Sequence, residues 1–90
     1  MTSETVYADL AAAGVPEHLH DGIVNYLVHR IPPGHFLGAV VSNDLVEAIG
    51  RADENSLRGL RAIVAFFYND APSTSWGSPV KVSAWLRGPR

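Results

Sequence analysis

Apolar positions recur along this chain at steps of three and four, the period of an amphipathic helix. Strand-like alternation is confined to Val80-Lys81-Val82. Ser3 is placed to cap a first helix through Ala13, with Gly14 as its stop. Pro16 suits the first position of the next helix, where a missing N–H costs nothing. On that helix Leu19, Ile23, Tyr26 and Leu27 share a face, and Glu17 and Asp21 lie off it. Ile31-Pro32-Pro33-Gly34 ends it, because a proline drives the preceding residue out of the helical region.

From Gly34 the pattern restarts. Phe36, Leu37, Val40 and Val41 form one stripe, and Leu45, Ala48 and Ile49 form a second, rotated one. The rotation predicts a bend or two abutting helices at Ser42-Asn43-Asp44, whose side chains compete for backbone hydrogen bonds. Gly50 to Asn55 is a polar break, with Asp53 placed as a cap. The most regular stretch follows: Leu57, Leu60, Ile63, Val64 and Phe67 share a face, with Arg58, Arg61 and Ala62 away from its centre, until Asn69-Asp70-Ala71-Pro72 stops it. After a loop over residues 72–78, Ser78-Pro79 caps a last helix carrying Val82, Trp85 and Leu86. The expectation is one all-α domain over residues 1–90, a compact bundle of about five short helices, with residues 1–14 peripheral and 88–90 frayed.

Composition narrows the class. With 47% hydrophobic and 18% charged residues, the 90-residue chain can bury a core and is not a disordered tail. It holds no cysteine, which removes disulfides, thiolate zinc sites and cysteine nucleophiles. The net charge of −2 argues against a general polyanion binder, and no sequence-specific nucleic-acid contact is expected. No apolar run approaches the roughly 20 residues of a membrane span, and Met1-Thr2-Ser3-Glu4 does not open a signal peptide. A cytoplasmic protein without a membrane partner is the expectation. Charge is uneven along the chain: of the seven basic residues, only Arg30 precedes residue 46.

Candidate chemistry is sparse. His18-x-His20-Asp21 holds metal-ligand residue types, but side chains two apart on a helix diverge, so a site would need His29 or His35 to converge from elsewhere. There is no Gly-x-Ser-x-Gly, no phosphate-binding glycine loop and no metalloprotease pair. No catalytic residue, metal ligand or cofactor is assigned, and a non-enzymatic role is expected. The alternatives are a small metal-assisted phosphodiesterase or nuclease using His18, His20 and Asp21, and a self-associating structural component.

Binding offers more. Arg58 and Arg61 are three apart and Arg51 lies just before them, a set able to grip phosphate or carboxylate. Against this, Glu54 lies four residues before Arg58, the favourable order for a helical ion pair. Trp76 sits in a loop, either as a plug over the core or as a contact anchor with a flat face for stacking. Asn43, Asp44, Asp53 and Asn69, polar residues at helix ends, complete the candidate binding set. Phe66 points away from the Leu57/Leu60/Val64 stripe and must meet the C-terminal segment or a second subunit. With Trp85 it forms the candidate interface of a homo-oligomer.

Longer segments add a resemblance. Pro32 to Val40, Asn43 to Leu45, Ala48 with Arg51 to Asp53, Tyr68 to Pro72 and Trp76 to Leu86 follow the pattern PPGxFLxAV, NDL, A-x-x-RAD, YN-x-AP and WGSP-x-KV-x-x-WL. In these segments, about the last two-thirds of the chain, the sequence resembles a family of small phage and prophage proteins. It departs at Val80, where the pattern has an acid, and at His35, where a smaller residue is expected. The pattern marks the family and carries no chemistry of its own. The resemblance implies a phage-encoded accessory protein in the host cytoplasm, acting by stoichiometric binding. It would inhibit bacterial immunity by blocking a host or defence protein, or by sequestering a small anionic nucleotide.

Overall fold

A computed structural model describes residues 1–88. Of the fraying expected at 88–90, Pro89 and Arg90 lie outside the described residues. Gly88 is held, its N–H donating to the Trp85 carbonyl. Among the described residues the chain is all-helical: α1 (Ser3–Ala13), α2 (His20–His29), α3 (His35–Val41), α4 (Leu45–Arg51), α5 (Glu54–Arg58), α6 (Leu60–Asp70) and α7 (Pro79–Arg87). Two 3₁₀ turns, Glu17–Leu19 and Ser73–Ser75, precede α2 and α7. The class is the expected one, with more and shorter helices than five.

The extra breaks have local causes. Asn43, with φ 61°, turns the chain between α3 and α4, and the Asp44 carboxylate then caps α4 by accepting from the Glu47 N–H. Asp53 caps α5 in the same way through the Ser56 N–H. Gly59 divides the expected long helix into α5 and α6. It is buried against Pro16, and any Cβ at that position would run into the proline ring. Pro16 itself precedes a 3₁₀ turn instead of opening α2. The cap of α1 is Thr2, not Ser3: Thr2 and Thr5 form a reciprocal capping box. Gly14 ends α1 in the left-handed conformation, as expected. Ser78 and Pro79 open α7 as predicted, and Val80–Val82 is helical.

The core gathers Val6, Leu10 and Val15, then Ile23, Val24, Tyr26 and Leu27 of α2, Leu37 and Val41 of α3, and Ile63, Phe66 and Phe67 of α6. This corrects two expectations. First, residues 1–14 are not peripheral, since α1 lies against α2 and α6 and its Leu10 is fully buried. Second, α6 is rotated from the expected phase. Ile63, Phe66 and Phe67 face inward, whereas Leu57 and Val64 are exposed. Ile63 and Phe67 belong to the expected stripe and stay inward, while α1 covers Phe66 and Val64 turns out.

The C-terminal segment is fastened to α2 by polar contacts. The Tyr26 hydroxyl donates to the Ser75 carbonyl at 2.5 Å. Arg30, the left-handed residue ending α2, donates to the Trp85 carbonyl at 2.8 Å and lies 3.5 Å over the Trp85 ring. The Trp85 indole N–H donates back to the Tyr26 carbonyl at 3.1 Å.

Candidate functional site

The arginines do not form the expected anion grip. Arg51 is paired with Glu47 on α4 (2.7 Å) and Arg58 with Glu54 on α5 (3.5 Å), both one turn apart and exposed. Each cation is thus matched by a carboxylate of its own helix, which offsets the charge an anionic ligand would meet. Arg61 lies beyond the Gly59 break on the exposed side of α6. Asp44 and Asp53 are occupied as caps. Hydrogen bonds from Ser56, and then the nearby His18, hold the Asp53 carboxyl below its ordinary value. Asn43 serves the left-handed turn.

The aromatic candidates also find partners within the chain. Trp76 is half-buried against the core, with ring centroids of Phe67 and Tyr68 each at 6.4 Å, so it is the plug and not an open stacking face. Phe66, assigned to a subunit interface, is 2% exposed and packs edge-on to Phe67. That assignment is corrected: its covering is α1 of the same chain. Trp85, the other interface candidate, is half-buried beneath Arg30.

The histidines serve separate local contacts. His20 bonds the Val15 carbonyl through Nε2 at 2.8 Å, and His18 Nε2 lies 3.2 Å from the Ser56 hydroxyl. Asp21 accepts from the Tyr7 hydroxyl at 2.6 Å, a bond that raises the Tyr7 pKa above its ordinary value. Ser56, His18 and Asp53 are neighbours, yet a hydrolytic triad requires the carboxylate to orient the imidazole. Here the carboxylate accepts from the Ser56 amide, and the serine is buried. Among the described residues no three of His, Asp and Glu gather as metal ligands would.

What the fold does assemble is an apolar strip where α3 and α4 meet α6, which the sequence pattern had assigned in part to the core. Along it Leu45 (66% exposed), Val64 and Tyr68 (69%) stand exposed, and Val46 (84%), Ile49 and Leu57 are further exposed apolar residues of α4 and α5. A cleft lined by Val40, Leu45, Ala48, Leu60 and Val64 joins α4 to α6. Beside it a shallow apolar groove runs along α6, lined by Leu60, Arg61, Val64, Ala65, Tyr68 and Asn69. Of the expected binding residues, Asn43, Asp44, Arg61 and Asn69 border this face, in the cleft or the groove.

A second groove brings distant segments together. Pro33, Gly34, Gly38 and Ala39 line it with Asp44 and Glu47 from the start of α4 and Pro79 and Val82 from α7. The Gly77 N–H donates to the Val41 carbonyl at 2.7 Å and fastens the Trp76-Gly77-Ser78-Pro79 segment beside α3. Comparison of the chain with protein-family models, curated proteins and solved structures gives no match.

Proposed function

We propose that this protein acts by stoichiometric binding of another protein, as a small phage-type accessory factor that blocks a host or defence protein in the host cytoplasm. The observation that carries the reading is the number of large apolar side chains that α4, α5 and α6 leave exposed although the chain buries a full core elsewhere. Exposed apolar side chains of this kind are costly to leave in water and favour a contact surface. The nucleotide version of the reading loses its support with Arg51 and Arg58 paired and Trp76 packed inward.

The test is capture of a bacterial partner by tagged protein, compared between wild type and Val46→Asp. Val46, on α4, is the most exposed large apolar residue among those described, so a charge there leaves the fold intact, as circular dichroism would check. A stoichiometric partner retained by wild type and lost with Val46→Asp is the expected result. Equal capture by both proteins, or none by either, would overturn the reading.

A further inference from the structure

We draw no further inference here: the strongest candidate, the groove between α3, the start of α4 and α7 lined by Gly34, Gly38, Asp44, Glu47 and Pro79, offers only a stripe of small residues beside two carboxylates already taken up as a helix cap and an ion pair, and nothing in the structure shows what covers it.

Discussion

The Tyr26 side chain joins the interior to the C-terminal segment through one bond, from its hydroxyl to the Ser75 carbonyl. Burial pushes its phenol from 10.0 up to about 12, with the nearby Arg30 charge acting in the opposite direction. A phenol that keeps its proton longer when folded contributes stability that is fully present below pH 10.0 and is lost as pH rises toward about 12. Urea titrations across that window should show stability declining in wild type and a shallower decline in Tyr26→Phe. Near neutral pH the same substitution should cost about 1–3 kcal/mol, since the Ser75 carbonyl would lose its partner in a buried place. Several single residues could be read without a fold. Asp44 and Asp53 cap because a carboxylate reaches an amide three residues on, and Glu54 meets Arg58 one turn away. Tyr26 could be read as a core residue but not as a donor to Ser75, which lies 49 positions along the chain.

At the level of elements, α7 depends on α2. Its inward side chains Val82, Trp85 and Leu86 are only partly buried, so the contacts from Arg30 carry much of its attachment. Arg30→Ala should cost about 1–2 kcal/mol, the sum of one hydrogen bond and one stacked cation. Amide exchange should then speed up in α7 more than in α6. If protection fell equally in both helices, the contact would be supporting the whole core and not α7 in particular. Most element boundaries were legible because their signals are local: Gly14, the Pro32-Pro33 pair and Ser78-Pro79 each act within a turn. The division at Gly59 was not. Its glycine packs against the ring of Pro16, a residue the chain reaches only on folding.

For the molecule as a whole, α1 is the test of how the core is built. Val6 and Leu10 lie in the same cluster as Phe66 and Phe67, and α1 borders both α2 and α6. A chain lacking residues 1–13 should therefore lose cooperative thermal unfolding and bind hydrophobic dye, because the Phe66 side of α6 would stand open. A sharp transition close to that of the full chain would mean that α1 is peripheral after all. All-helical character, most helix ends and the capping residues could be inferred from the order of residues, since helical hydrogen bonds and caps connect positions within about four of one another. The orientation of α6 could not. Ile63 and Phe67 lie at the middle of its apolar side, but whether Val64 or Phe66 joins them depends on what another helix covers, and the hydrophobic effect has no preferred direction. That Phe66 joins the core was settled by α1, packing from more than 50 positions earlier in the chain. The same event left Val64 of the expected stripe outward and turned the expected interface residue Phe66 inward, and so set one edge of the candidate contact surface.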